Sequence, residues 1–139
     1  MAAPATLTEL SVACRRPADV LPVPCIFCGC FLTLDDKKAF ERKALKLIWK
    51  QRVPFGTCSK CCAERAQADC VEHTRCTLEG EGVRIFAGTH LGEVIVRCRC
   101  CLGLLSLREK LEAEERREPF LLVRRCWRNT CKDCLLKQE

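Results

Sequence analysis

Tyrosine is absent from these 139 residues, and the chain holds only two tryptophans and two histidines. Without closely spaced aromatics there is no platform on which bases could stack, which argues against a single-strand nucleic-acid surface. No apolar run approaches the roughly 18 to 20 residues that span a bilayer, so the sequence predicts no membrane segment. Met1 to Leu10 lacks a basic start followed by an apolar stretch, so no signal peptide is expected and the chain is read as intracellular and reduced. The glycines Gly80, Gly82, Gly88 and Gly92 do not space as a phosphate-binding loop.

Cysteine is plentiful, with fifteen residues, and its spacing organises the rest. Two hooks, Cys25-Ile26-Phe27-Cys28 and Cys58-Ser59-Lys60-Cys61, are separated by 29 residues, and every hook cysteine recurs 73 positions later, at Cys98, Cys101, Cys131 and Cys134. Two thiolates on a Cys-x-x-Cys turn hold half of a tetrahedral shell, and a second hook completes it around Zn2+ at about 2.3 Å per bond. A lone hook could be a redox dithiol or an accident of a cysteine-rich chain. Four hooks in two matched pairs predict two structural zinc ions per chain.

The internal repeat divides the chain into a 1–24 N-terminal arm, a first zinc module over 25–61, a linker helix and connecting loop over 62–92, and a second module with a short tail over 93–139. A module of about 35 residues is too small for a self-sufficient core. Metal coordination then contributes on the order of 10 to 16 kcal/mol per site to folding. The expected class is α+β: two homologous modules, each with a short sheet and short helices, joined by a helix.

Charge is less decisive than it looks. The formal net charge is +6, but two Zn2+ and eight thiolates bring it to +2. That makes a weak case for a polyanion partner. Seven thiols remain outside the hooks, at Cys14, Cys30, Cys62, Cys70, Cys76, Cys100 and Cys126, and are read as buried small apolar groups or oxidation-prone surface thiols.

In chain order, the arm carries a helical piece around Leu7 to Ala13 and then Pro17, Pro22 and Pro24, which enforce extended chain; it is expected to pack on a neighbour. Thr33 followed by Asp35 and Asp36 starts a short helix into Arg42. Leu45, Leu47 and Trp49 alternate with charged or smaller neighbours, as in a strand, and 51–56 reads as a turn. Ser106 and Glu109 form a capping box five residues after Cys101, the register in which Thr33 follows Cys28. Its helix runs through Leu111 to Arg117 with a charged outer face, Pro119 stops it, and Phe120–Val123 is a buried strand. Between the modules, Cys62 to Thr77 is expected as a helix, Glu79 to Gly92 as turns, and Val94 to Arg97 as a strand.

A closed four-sulfur shell leaves zinc no position for water or substrate, so catalysis has little support. His73 or His90 could pair with a spare cysteine as base and nucleophile, but nothing in the sequence places them together. The chemistry points to binding.

The full pattern, Cys-x2-Cys-x29-Cys-x2-Cys, a 36-residue spacer and the same unit again, resembles papillomavirus early protein six, a zinc-binding oncoprotein family. Further matches are Leu45 to Trp49, Ile95-Val96-Arg97-Cys98, Leu104-Leu105-Ser106, and Val123-Arg124 before Trp127. The resemblance implies an adaptor that grips an acidic Leu-x-x-Leu-Leu helix of a host protein in a groove walled by both modules and the linker helix, acting in the host nucleus and cytoplasm on transcription, Notch signalling, apoptosis or protein degradation. Ile26, Phe27, Leu45, Ile48, Cys62, Ala68 and Ile95 would give the apolar wall, with Arg65 on the linker helix. Arg97 and Arg124 would supply charge, with Arg125 as a substitute for the missing clamp arginine if the backbone shifts. Implied partners are a mastermind-like coactivator, which is favoured, a HECT-type ubiquitin ligase, or paxillin.

Two features depart from many relatives. Arg124-Arg125-Cys126-Trp127 stands where they carry Arg-Gly-Arg-Trp, so Cys126 replaces one clamp arginine; and on the linker helix Arg65 and Asp69 stand where many relatives have an aromatic or small polar residue, Asp69 being able to repel an acidic peptide. The ending Lys137-Gln138-Glu139 lacks a PDZ-binding signature. A zinc-dependent DNA-binding regulator is the alternative reading, with nucleic acid a weak partner; a RING-type ligase is disfavoured because the mixed Cys/His pattern is missing. Self-association through the first module stays open.

Overall fold

The computed structural model describes residues 3–137; Gln138 and Glu139, on which the PDZ reading turns, and Met1 and Ala2 lie outside them. The fold is α+β and divides into two units, Met1–Cys62 and Ala63–Glu139.

In the first unit the arm is core. Thr6 caps α1 (Leu7–Cys14) by accepting from Glu9 N–H at 3.1 Å. Leu7 and Leu10 bury beside Leu21, Val23, Leu32, Phe40 and Leu47. Glu41 fastens the helix start, accepting from Leu7 N–H at 2.7 Å and Thr8 Oγ1 at 3.0 Å. The segment expected to pack on a neighbour therefore packs within its own unit.

Thr33 opens α2 (Leu34–Arg42) with a reciprocal capping box to Asp36. The alternating stretch gives a shorter strand than its period suggests, because Leu45 still closes the helix exit, donating to Phe40 O at 3.2 Å. β1 (Ile48–Lys50) pairs antiparallel with β2 (Val53–Phe55), so the expected turn over 51–56 is a two-residue turn and a second strand. α3 (Ser59–His73) then leaves the second hook.

The second unit contains most of α3. The helix ends at His73 rather than Thr77, since Thr74 and Thr77 are β-branched and β3 (Thr74–Leu78) pairs with β5 (Phe120–Val123). The glycine-rich stretch expected as turns is helical: α4 (Gly80–Ala87). Its first glycine is there for close packing, because a Cβ on Gly80 would meet the Glu114 carboxylate at 2.5 Å. β4 (Val96–Cys98) runs parallel to β6 (Cys126–Asn129), giving a sheet in the order β3-β5-β6-β4. α5 (Leu107–Glu115) has the Ser106–Glu109 capping box, and α6 (Lys132–Lys137) follows the last hook.

One face of this sheet carries the core, with Val83, Leu91, Val96, Leu105, Ala113, Phe120 and Trp127. The other face is covered by α3, whose Cys70 packs on Leu121 and Val123.

Candidate metal centres and ligand surface

The capping boxes also set the hooks. Besides capping α2, Asp36 accepts from Ser59 N–H at 3.2 Å, inside the second hook, and Glu109 accepts from Lys132 N–H at 2.7 Å, inside the fourth. These bonds to the charged form hold both carboxyls below their usual range despite the opposing effect of partial burial.

The result is two clusters, Cys25, Cys28, Cys58 and Cys61, and Cys98, Cys101, Cys131 and Cys134, each with its sulfurs within 4.8 Å of one another. A tetrahedral zinc shell sets its sulfurs about 3.8 Å apart. Cys28 and Cys58 stand at 3.9 Å, as do Cys101 and Cys131, so the donor sets fit two zinc ions.

Backbone amides prepare the shells. Cys58 N–H points to Cys25 Sγ at 3.5 Å, and Cys100 and Cys131 N–H point to Cys98 Sγ at 3.3 and 3.4 Å. Burial raises the Cys25 thiol, but the amides of Cys28, Cys58 and Phe27 outweigh it and lower the pKa to about 6. A hydrogen bond from Cys101, with help from the same kind of amide donors, takes Cys98 to about 4. Four of the other ligands shift the other way: burial raises Cys58 and Cys61 and takes Cys134 to about 12, while the bond to Cys98 raises Cys101. One thiolate per cluster forms readily, and the four raised thiols need a cation among them to ionise.

The family model for Early Protein (E6) matches residues 25–134, the stretch bounded by the first and last of these eight ligands. The chain belongs to the papillomavirus E6 family. Protein E6 of Human papillomavirus 25 is 37% identical over 131 residues, covering 94% of this chain and 81% of that protein. Protein E6 of Human papillomavirus type 8 is also 37% identical, over 94% and 84% of the two chains. Protein E6 of Human papillomavirus type 60 is 34% identical over 96% of this chain and 94% of its own length.

Among the side chains that E6 resemblance singles out in the first unit, Phe27 and Ile48 are exposed, at 55% and 45%. Ile26 and Leu45 are half-buried, and Cys62 is buried. In the second unit Ile95 is 68% exposed and Ala68 half-buried. Arg97 donates to Leu102 O at 2.8 Å. Arg65 and Arg124 both reach Asp69 Oδ1, at 3.4 and 3.6 Å, so the acid that could repel an anionic peptide is bracketed by two guanidiniums. Arg124 and Arg125 share a cavity of about 490 Å3 with His73, Arg75 and Glu72. His73 Nε2 stands 3.7 Å from a Glu72 carboxylate oxygen.

One residue escapes the sequence reading. Arg128 is buried, and its Nε and Nη1 have no hydrogen-bond partner. Its neighbour Trp127 is a core residue, and a strand period of two puts Arg128 on the opposite face; that alternation was the available signal.

Proposed function

We propose that this chain is a non-enzymatic adaptor whose exposed apolar and basic side chains bind an acidic Leu-x-x-Leu-Leu helix of a host protein. The observation that carries the reading is the presence of solvent-facing apolar side chains in each unit and of arginines in the second. Phe27 and Ile48 in the first unit and Ile95 in the second are solvent-facing, while Arg65, Arg97, Arg124 and Arg125 lie in the second unit. Leucines of an amphipathic helix would bury against such anchors, and the basic residues would select its acidic flank. Zinc, when bound, neutralises the thiolates and locks each hook pair; both shells are filled by protein sulfur, so the ions act as a frame and offer no site for chemistry.

A mastermind-like coactivator is the favoured partner, with repression of Notch-dependent transcription in the host nucleus as the outcome. Recruitment of a HECT-type ubiquitin ligase, or binding of paxillin in the cytoplasm, would use the same helix chemistry. The test is fluorescence anisotropy of a labelled acidic Leu-x-x-Leu-Leu peptide against the zinc-loaded chain. Binding is expected, with at least a tenfold loss, equivalent to about 1.4 kcal/mol, on Ile48→Glu. Failure to bind any of a panel of such peptides overturns the reading.

A further inference from the structure

The sulfur that ligates a metal is a thiolate, and the thiolate is also the species that peroxides oxidise where solvent reaches it. The two shells differ in that respect at one matched position. Cys28 is exposed, whereas its counterpart 73 residues on, Cys101, is half-buried. Two residues further along, the copies part again: the first unit has a second exposed thiol, Cys30, where the second has Gly103. One unit reads Cys28-Gly29-Cys30, the other Cys101-Leu102-Gly103.

The local backbone brings the two thiols together. Cys25 N–H donates to Cys30 O at 2.8 Å and Gly29 N–H to Cys25 O at 2.9 Å, folding the chain after Cys28 back over the first hook. A side-chain hydrogen bond with Cys28 is the strongest influence on the Cys30 thiol. Gly29 between them has φ of 79° and open space where a Cβ would stand, so the turn can tighten without a clash. Leu102 holds the same left-handed place in the second unit, with φ of 67° and a side chain to carry. Cys30 is not one of the four ligands, so it remains a thiol while the shell is filled.

We propose that Cys28 and Cys30 form a peroxide-modification site, which oxidation closes into a disulfide that empties the first zinc shell and spares the second. The Cys28 thiolate attacks one oxygen of hydrogen peroxide, the O–O bond breaks, hydroxide leaves, and Cys28 becomes a sulfenic acid. The Cys30 sulfur then attacks the Cys28 sulfur, the S–O bond breaks, and the departing hydroxide takes the Cys30 proton as water. Both sulfurs are oxidised, and the peroxide is reduced to one water and one hydroxide. Three sulfurs are too few for a closed tetrahedral shell, so the hook pair loses its ion and the folding energy that goes with it.

The test treats the zinc-loaded full chain with limiting hydrogen peroxide. Native mass spectrometry counts the zinc kept, and peptide mapping of alkylated protein locates the new bond. One zinc is expected to leave, with a Cys28–Cys30 disulfide in the map, and dithiothreitol with added zinc should refill the site. Cys30→Ser removes no ligand and should still bind both ions. Its Cys28 sulfenic acid, trapped with dimedone, finds no partner and runs on to the sulfinic acid, so about tenfold less zinc is taken back after reduction. Equal zinc loss from both shells, a bond from Cys28 to any cysteine but Cys30, or full recovery by Cys30→Ser overturns the proposal. None of these readouts needs a peptide ligand, so the outcome is independent of the adaptor reading.

Discussion

The two units are one plan executed twice, 73 residues apart, and they differ where the plan leaves room. Lys37 is buried with its Nζ on Ala18, Asp19 and Leu21 carbonyls, and Lys110 repeats this on Leu91 and Val94. The helix exits at Ala44 and Arg117 share a left-handed residue, with φ of 54° and 58°. α1 and α4 occupy the same place in the repeat. The sheets diverge: two strands in the first unit, four in the second. Where the second unit has β4, the first has only isolated bridges at Pro24 and Cys25. Pro24 stands at the position of Arg97 and has no N–H to give, which limits pairing there. What the hooks and caps demand is repeated; strand extension is set by local sequence.

The strongest way to break the comparison is to remove one metal shell at a time. Cys25→Ser should release one zinc and unfold the first unit alone, and Cys98→Ser should do the same to the second, since each loses on the order of 10 kcal/mol. Native mass spectrometry should count one zinc in each variant, and amide spectra should lose the peaks of one unit only. Loss of both ions from either variant would show that the units fold as one.

Acid should separate the sites without mutation. A thiol whose folded pKa is lowered brings stability that is complete above its unfolded value near 9 and lost as pH falls through the folded value. In the metal-free clusters that loss completes near pH 6 for Cys25 and near pH 4 for Cys98, whereas the order of zinc release rests on how well each shell is shielded. The second site is also better shielded, with three of its four ligands buried against two in the first. Zinc release followed with a chromogenic chelator should therefore come in two steps, the first unit yielding at the higher pH. A single step, or the reverse order, would contradict this.

The buried lysines test the repeat inside the folded units. Lys37→Met orphans three carbonyls and Lys110→Met two. At roughly 1 kcal/mol for each partly buried group, losses of about 3 and 2 kcal/mol are expected in urea melts of the zinc-loaded chain. Burial lowers the pKa of Lys110, an offset that makes its replacement the milder of the two.

Much of this was legible beforehand, and what was missed has physical causes. The cysteine register and the two capping boxes are local signals, and both shells and both helix starts follow from them. α4 was missed because Gly80 and Gly82 read as turn residues, whereas they sit under Glu114 and Leu78. The arm read as an appendage because its two buried leucines, Leu7 and Leu10, do not reveal that Glu41 and Phe40 receive them. Arg128 could not stand out as a surface arginine would, since its burial depends on α3 covering the far face of the sheet, a tertiary fact.

The smallest effect lies in the two hairpin turns, where the copies look most alike. In the first unit Lys50 pairs with Val53 around Gln51 and Arg52, with φ of 51° and 67°. Two left-handed residues define a type I′ turn, which favours Asn-Gly. In the second, Val123 pairs with Cys126 around Arg124 and Arg125, and only Arg124 is left-handed, with φ of 58°. Arg52→Gly should therefore stabilise the first unit by about 1 kcal/mol, because glycine relieves a left-handed side chain. Arg125→Gly should cost about 0.5 kcal/mol, because glycine only adds freedom to the unfolded chain where φ is already ordinary. Opposite signs in thermal melts of the two variants would show that hairpins equivalent by the 73-residue register close by different turns; equal shifts would show that they do not.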